Sequence, residues 1–212
     1  MSILPIRIAL AALVAAVSGC ATGSSTPADA TPAAAATLPA DRFYAELKSM
    51  CGQAFGGRVV ADMPAPTGDD PFAGKPLVMH VRGCSDTELR VPFHVGDDRS
   101  RTWVVTRTGP GLRLKHDHRH EDGSDDAVTM YGGDTVALGT AQRQEFPVDE
   151  FSKAMFLREG LDVSVTNTWA LELDPDREFV YELARPGGRL FRVEFDLSQP
   201  VAVPPAPWGD EG

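Results

Sequence analysis

The feature that most constrains the fold is a long succession of short alternating segments, which begins near residue 76. From Leu89 to Val95 every second residue is apolar, the pattern of a strand with one buried and one exposed face. Alternation of this kind predicts strands over residues 76–82, 87–95, 101–108, 111–119, 128–131, 135–138, 142–146, 163–173, 179–183 and 191–197. Residues 61–75, rich in Pro and Gly, are predicted to form a loop.

Three connections between these segments are short and have the composition of hairpin turns, namely residues 109–110, 174–176 and 186–188. Strands joined by such turns run antiparallel, and no helix alternates with them as in a parallel sheet. About ten short antiparallel strands predict a closed or nearly closed barrel, because closure removes exposed sheet edges. The predicted fold class is therefore mainly β.

Two helices are predicted beside the strands. Asp41 can cap an N-terminal helix that ends near Gly52 or Gly56. Its apolar residues recur at three- and four-residue spacings, at Phe43, Tyr44, Leu47, Met50 and Cys51. Asp149 can cap a second, shorter helix that stops at Gly160, just before the C-terminal strands.

This order of elements resembles a lipocalin-type (calycin) barrel over roughly Asp41 to Pro200. The resemblance is limited to the fold. Lipocalins have a glycine two positions before the tryptophan of their first strand, and Trp103 has no glycine at that position. Residues 101–104 and 115–123 also resemble an uncharacterised family of bacterial secreted proteins, which implies no particular function.

The N-terminus has the layout of an export signal. Arg7 precedes the apolar residues 8–17, a run shorter than the roughly 20 residues a spanning helix needs. The following Val17-Ser18-Gly19-Cys20 resembles the lipobox of bacterial lipoprotein precursors, which implies that Cys20 is acylated and anchors the protein to a bilayer. Ala21 stands where such proteins carry Asp for inner-membrane retention, which implies the outer membrane and a periplasm-facing domain. The alternative is a plain cleaved signal that contains a cysteine.

Four regions follow from these patterns: a signal over residues 1–19, a lipidated disordered tether over 20–40, the barrel over 41–200 and a Pro-rich tail over 201–212. The formal net charge is −10, and loss of the signal with its one basic residue makes it near −11. Such an acidic protein is a poor partner for nucleic acid. A protein partner is not indicated by any pattern.

The cysteine count agrees with an exported protein. Once Cys20 is lipidated, Cys51 and Cys84 remain as an even pair, which predicts one disulfide. A metal-thiolate site is the alternative, although neither cysteine has a Cys-x-x-Cys partner or a histidine nearby.

The most unusual chemistry lies in residues 111–121, where three of the five histidines continue an apolar row. Leu112, Leu114, His116, His118 and His120 share one face of the predicted strand. Two imidazoles at alternate positions can reach one Zn or Cu ion, completed by His120, His94 or Glu121. The alternative is a solvated polar cluster at a strand end.

The same segment is partly similar to the first cupin motif, a glycine followed by His-x-His and Glu. Gly111, His116, His118 and Glu121 supply the residue types, but the gaps are shorter by about one residue each, which reverses the face of a strand. A second cupin motif is absent from the sequence. A cupin-like metal enzyme therefore stays one of the alternatives.

A ligand pocket is the other candidate site. Its predicted lining is aromatic, namely Trp103, Tyr131, Trp169 and Tyr181, although these positions also fit packing in a barrel core. No Gly-x-Ser-x-Gly motif and no thiol outside the cysteines already assigned is present to act as a nucleophile. The sequence thus favours non-enzymatic binding of a small apolar molecule, haem or a metal ion in or at the mouth of the barrel. The alternative is a structural or assembly lipoprotein that acts through its surface.

Overall fold

A computed structural model describes residues 37–210 of the chain, which form a nearly closed antiparallel β-barrel with two α-helices. The predicted signal, Cys20 and most of the tether lie outside the described residues. The elements are α1 (Pro39–Ser49), β1 (Ala54–Met63), β2 (Leu77–His80), β3 (Gly83–Cys84), β4 (Glu88–Val95), β5 (Asp98–Thr108), β6 (Gly111–His118), β7 (Tyr131–Asp134), β8 (Arg143–Pro147), α2 (Glu150–Arg158), a 3-10 helix (Asp162–Thr166), β9 (Thr168–Asp174), β10 (Glu178–Arg185) and β11 (Arg189–Val201). Neither helix of residues 37–210 is long and apolar enough to cross a membrane.

The strands follow one another around the barrel in the order β7-β6-β5-β4-β2-β1-β11-β10-β9-β8, and every neighbouring pair is antiparallel. Strand β3 pairs with β4 outside this path. The predicted mainly β, lipocalin-like barrel with an N-terminal helix and a short helix before the C-terminal strands is confirmed. The three predicted hairpin turns are confirmed as well, since each joins two strands that pair with each other.

The barrel closes where β7 meets β8, and Gly133 makes this approach possible. A Cβ atom on Gly133 would lie 1.8 Å from the carbonyl oxygen of Pro147 on β8. Gly132 accepts a 2.9 Å hydrogen bond from the amide of Asp149 and exchanges two more with the Ser152 side chain. Gly133 therefore serves a close contact between the backbones of β7 and β8, and a Cβ on Gly132 would lie 1.9 Å from the Leu114 carbonyl oxygen on β6. A larger residue at either position would prevent these contacts.

Helix α1 packs against the barrel near the turn between β5 and β6. Its buried residues Phe43, Tyr44 and Leu47 belong to the barrel core. The expected cap is wrong: the N-cap residue is Leu38, while Asp41 in the first turn pairs with Arg107 of β5. Pro39 at the start of the helix fits the missing amide of proline, so helix α1 begins two residues inside the predicted tether.

The predicted disulfide is present and joins the end of α1 to β3. Cys51 and Cys84 are bonded at 2.06 Å and are 33 residues apart in the chain. The alternative of a metal-thiolate pair is thereby excluded for the oxidised protein. On the chain-entropy view a loop of this length stabilises the fold by about 4 kcal/mol.

Sequence alternation failed at three strands. The sequence does not predict strand β1, since Gly56 is a possible end of the N-terminal helix and residues 61–75 are predicted as a loop, of which 61–63 belong to β1. Gly57 lets Phe195 of β11 approach, and a Cβ there would lie 2.5 Å from that ring. The segments predicted at 128–131 and 135–138 are replaced by β7 between them. Residues 163–166, predicted as extended, belong to the 3-10 helix. The cap by Asp149 is confirmed, since its carboxylate accepts a 2.8 Å hydrogen bond from the Ser152 amide.

The Pro-rich tail is fastened to the outside of the barrel. Arg99 of β5 donates a 2.9 Å hydrogen bond to the carbonyl of Ala206, and the Trp208 amide donates one of 3.1 Å to the Arg99 carbonyl. Arg82 forms an ion pair of 3.2 Å with Asp210. We call residues 204–210 the C-terminal strap.

Candidate functional site

The histidine row of β6 enters the barrel interior, as alternation predicts. Leu112 and Leu114 are fully buried, His116 is 3% exposed, and His118 is partly buried at the end of the strand. His120 lies beyond β6 and is exposed, so the row contains two inward histidines and not three. The change occurs because the chain leaves the sheet after His118 and turns through residues 121–124.

His116 is held by two hydrogen bonds that define its protonation. Its Nδ1 lies 3.1 Å from the carbonyl oxygen of Tyr131, and its Nε2 lies 2.9 Å from the hydroxyl of Tyr181. A carbonyl only accepts, so Nδ1 carries the proton and Nε2 accepts from the Tyr181 hydroxyl. Burial, reinforced by nearby His118, lowers the pKa of His116 to about 3. The ring is therefore neutral at physiological pH.

His118 extends this polar chain toward the barrel mouth. Its Nε2 lies 3.1 Å from the hydroxyl of Tyr131, whose ring stacks on His116 at 4.5 Å between centroids. Burial, with a smaller contribution from Arg101, lowers the pKa of His118 to about 4. Burial also raises the pKa of both Tyr131 and Tyr181 above the ordinary value. The four side chains thus form a neutral, hydrogen-bonded group inside the barrel.

A cavity of about 220 Å³ opens beside this group, and we call it the inner cavity. Three of the four predicted pocket aromatics, Trp103, Tyr131 and Tyr181, line it. Trp103 stacks between Phe93 and Tyr181, with centroid distances of 5.0 Å and 4.7 Å. The remaining lining residues are Phe72, Phe93, Arg101, Thr102, His116, His118, Leu183, Arg189 and Phe191. Binding pockets for drug-sized molecules span roughly 300–1,000 Å³, so this cavity suits a smaller ligand and is too small for haem.

Two arginines bring positive charge to the inner cavity. Arg101 pairs with Asp98 at 2.6 Å and lies 6.0 Å from the centre of the Phe72 ring. Arg189 pairs with Asp62 and lies over the ring of Phe191. Each arginine side chain is about a quarter exposed and has N–H groups beyond those used by its carboxylate partner. The inner cavity therefore combines aromatic walls with cationic hydrogen-bond donors.

A second cavity, of about 390 Å³, shares four residues with the inner one: His118, Tyr131, Tyr181 and Leu183. We call it the side cavity. Trp169, the fourth predicted pocket aromatic, lines it together with Phe156 and residues of the 3-10 helix region. The centroid of Trp169 lies 5.1 Å from that of His116, which connects both cavities to the same polar group. All four predicted pocket residues thus lie at cavities.

The residues predicted to bind a metal do not form one group, because His116 and His118 point into the barrel whereas His94 and Glu121 line a cleft on its outside. His94 faces the outside of the barrel on β4, and His120 and Glu121 lie beyond the end of β6. Among residues 37–210, no three His, Cys, Asp or Glu side chains are placed to hold a metal ion. The spatial arrangement of a cupin site is likewise missing, because Glu121 lines an outer cleft while His116 and His118 point inward.

The pocket predicted from the sequence does not include several residues that line the inner cavity. Arg101 and Arg189 precede inward aromatics by two residues on their strands, and the same alternation that placed Trp103 and Phe191 would have found them. The charge of Arg101 and Arg189, taken alone, instead predicts exposed positions on the surface. No sequence pattern indicates that Phe72 lines the cavity, since it lies in the loop between β1 and β2.

Comparison of the chain with protein-family models, curated proteins and solved structures found no match. Function is therefore inferred from the chemistry of the cavities.

Proposed function

We propose that the barrel binds a small, mostly apolar molecule that carries one acidic or hydrogen-bond-accepting group. The observation that carries this proposal is the inner cavity, in which stacked aromatic rings lie beside two arginines and a neutral histidine pair. Aromatic walls favour the apolar body of a ligand, and a few converging polar groups set its orientation.

The aromatic part of the cavity favours a flat molecule of modest size. An apolar cavity of about 150 Å³ is enough to bind benzene in a protein interior. The inner cavity, at about 220 Å³, has room for such a ring with one substituent. The rings of Phe72 and Phe191 lie 4.9 Å apart at one side of it, so a ligand ring would contact aromatic surface.

The polar part favours a carboxylate or a comparable acceptor. Arg101 and Arg189 donate several N–H groups in a planar fork, which matches two carboxylate oxygens. His116 and His118 are neutral, so they add hydrogen bonds without adding a second positive charge. We infer that the ligand places its apolar ring against Trp103 and its acidic group toward the arginines.

Benzoate, benzamide and benzene are suitable probes, measured by their effect on thermal unfolding and by quenching of tryptophan fluorescence. Benzoate is expected to bind more tightly than benzamide, and Arg101→Gln is expected to remove that difference. Leu183→Trp fills the space shared by both cavities and is expected to abolish binding. Leu190→Trp makes the same change on the neighbouring strand, at a half-buried position that lines neither cavity. Equal binding by the two tryptophan variants would refute the proposal.

We also propose that the protein is an outer-membrane lipoprotein with its barrel in the periplasm. The support is the lipobox-like Val17-Ser18-Gly19-Cys20 after an apolar run, which lies outside the described residues. Mass spectrometry of the mature N-terminal peptide is expected to find a diacylglyceryl group on Cys20. Cys20→Ser is expected to release the protein from membranes, and a wild-type protein without acyl mass would contradict the assignment.

Zinc or copper binding stays a prediction with weaker support. Of the predicted ligands, only His116 and His118 line the inner cavity, and the hydrogen bonds of His116 already engage both of its nitrogens. Calorimetric titration with Zn²⁺ and Cu²⁺, compared between wild type and His118→Ala, decides the matter. Equal heats for the two proteins would remove this site.

A further inference from the structure

Three buried nitrogen atoms without a hydrogen-bond partner gather near the C-terminal strap. They are His80 Nδ1, His94 Nε2 and Trp208 Nε1, and the described residues contain one other such side-chain atom, on Gln144. Leaving a buried polar group unpaired costs about 1–3 kcal/mol. Three such groups in one region are unfavourable unless a ligand or water completes them.

The sheet explains why these atoms come together. Val78 of β2 pairs directly with His94 of β4, so His80, two residues further on, is the diagonal neighbour of His94 on the outer face. Both imidazoles are buried, at 4% and 3% exposed, although they face away from the barrel core. The strap lies over this face, and Trp208 of the strap lines the same cleft as His94.

The cleft between strap and barrel has a volume of about 410 Å³, and we call it the strap cleft. Pro76, Val78, Pro204 and Pro205 give it apolar walls. Its size falls in the range of roughly 300–1,000 Å³ that is usual for small-molecule sites. It is separate from the inner cavity, with which it shares no lining residue.

Three charged groups of the strap cleft are also without an opposite partner. Arg99 donates to the Ala206 carbonyl but forms no ion pair with a described carboxylate, and Asp97 and Glu121 form none with a described base. Most other arginines of residues 37–210 are paired with acids. The strap cleft therefore offers one positive and two negative groups that form no ion pair within residues 37–210.

The chemistry of these groups selects the ligand. The Trp208 indole and the Arg99 guanidinium can only donate, so they require an acceptor, and a carboxylate serves both. Asp97 and Glu121 accept only, so they require a donor, and an ammonium group serves them. We propose that the strap cleft is a binding site for a small zwitterion of the amino-acid class, a free amino acid or a short peptide.

In this arrangement the ligand carboxylate lies at Trp208 and Arg99, and its ammonium group lies toward Asp97 and Glu121. The neutral imidazole of His94 adds a hydrogen bond from below, since burial, with smaller contributions from His80 and Arg99, lowers its pKa to about 4. An apolar side chain of the ligand contacts the prolines. The strap, which carries Trp208, is thus part of the site and not only a terminal segment.

The indole N–H resonances of the ¹⁵N-labelled protein give a direct test. The chain has three tryptophans, of which Trp208 alone lines the strap cleft, and Trp208→Phe identifies its resonance. The probes are the free amino acids and a set of dipeptides at millimolar concentration, followed by the N-acetyl and C-amide forms of those that bind. A saturable shift of the Trp208 resonance is expected, and either blocking group is expected to remove it.

Two variants test the charges. Arg99→Gln and Glu121→Gln are each expected to weaken binding about tenfold or more, the loss of one charge-assisted hydrogen bond. Arg42→Gln, on the exposed face of α1, is the matched control and is expected to change nothing. The proposal is overturned if no probe shifts the Trp208 resonance, which would leave water as the partner of these atoms, or if the blocked forms bind equally well.

Discussion

The buried histidines predict a steep loss of stability in mild acid. Burial is the largest cause that lowers the pKa of His116 from 6.5 to about 3 and that of His94 from 6.5 to about 4. Between pH 6.5 and about 5 the unfolded chain binds a proton at each of these positions, while the folded protein does not. These two histidines therefore cost no stability well above pH 6.5, and they lower the free energy of unfolding progressively as the pH decreases toward their folded pKa.

The magnitude follows from the width of this window. One proton taken up only by the unfolded chain changes the free energy of unfolding by about 1.4 kcal/mol per pH unit. Because the unfolded imidazole is half protonated at pH 6.5, His116 and His94 should each remove about 1.7 kcal/mol between pH 6.5 and about 5, or about 3 kcal/mol together. His80, whose pKa is also lowered by burial, and His118 act in the same direction. Carboxylates contribute little here, because they titrate in the unfolded chain near pH 4.

Urea unfolding followed by tryptophan fluorescence at several pH values measures this loss. His116→Gln keeps a polar side chain without a titrating ring, and its loss between pH 6.5 and about 5 should be smaller than that of wild type by about 1.7 kcal/mol. His120→Gln removes an exposed imidazole four residues away and is the matched control. The reasoning fails if His116→Gln and wild type lose the same free energy across this range, or if the imidazole of His116 is found charged at pH 5 by NMR.

Two further predictions concern the framework of the barrel. Replacing Cys51 and Cys84 together by Ala should lower the free energy of unfolding by about 4 kcal/mol, measured by urea titration, whereas a loss below about 1 kcal/mol would show that the chain-entropy account does not apply. Gly133→Ala should cost about 3 kcal/mol, because its Cβ would overlap the Pro147 carbonyl at the seam between β7 and β8. Gly68→Ala, at a position with no neighbour within 4 Å, should stay within about 0.5 kcal/mol of wild type, and equal losses for the two variants would contradict the close approach.

The part of the fold that the sequence predicts well depends on side-chain alternation. Strands β6, β8 and β11 alternate between buried and more exposed residues over most of their length, because their inward residues pack in the core and their outward residues are partly or fully exposed. The inward position of His116 follows from the same rule, since Leu112 and Leu114 fix the phase of β6. Alternation thus predicted where the site lies.

The parts that sequence reasoning missed depend on backbone contacts between distant segments. Strand β1 carries Gly57 because Phe195 needs the space, and β7 carries Gly133 because Pro147 does. Phe195 and Pro147 are not neighbours of these glycines in the sequence, so the glycines alone suggest turns or loops. The position of the strap was not predictable for the same reason. It is attached through tertiary contacts of Arg99 and Trp208, whereas its Pro-rich composition alone predicts only a tail.

The chemistry of the histidine row is decided by burial more than by residue type. A general acid or base at neutral pH needs a pKa near 7, and burial has taken His116 far below that value. A neutral imidazole can still coordinate a metal, but here the carbonyl of Tyr131 accepts the Nδ1 proton and the hydroxyl of Tyr181 occupies the Nε2 lone pair. A metal at His116 would have to break one of these bonds and leave a buried tyrosine hydroxyl or carbonyl unpaired. Recognition of a neutral or anionic ligand requires no such loss, because the arginines at the inner cavity keep free N–H groups beside an intact histidine and tyrosine group.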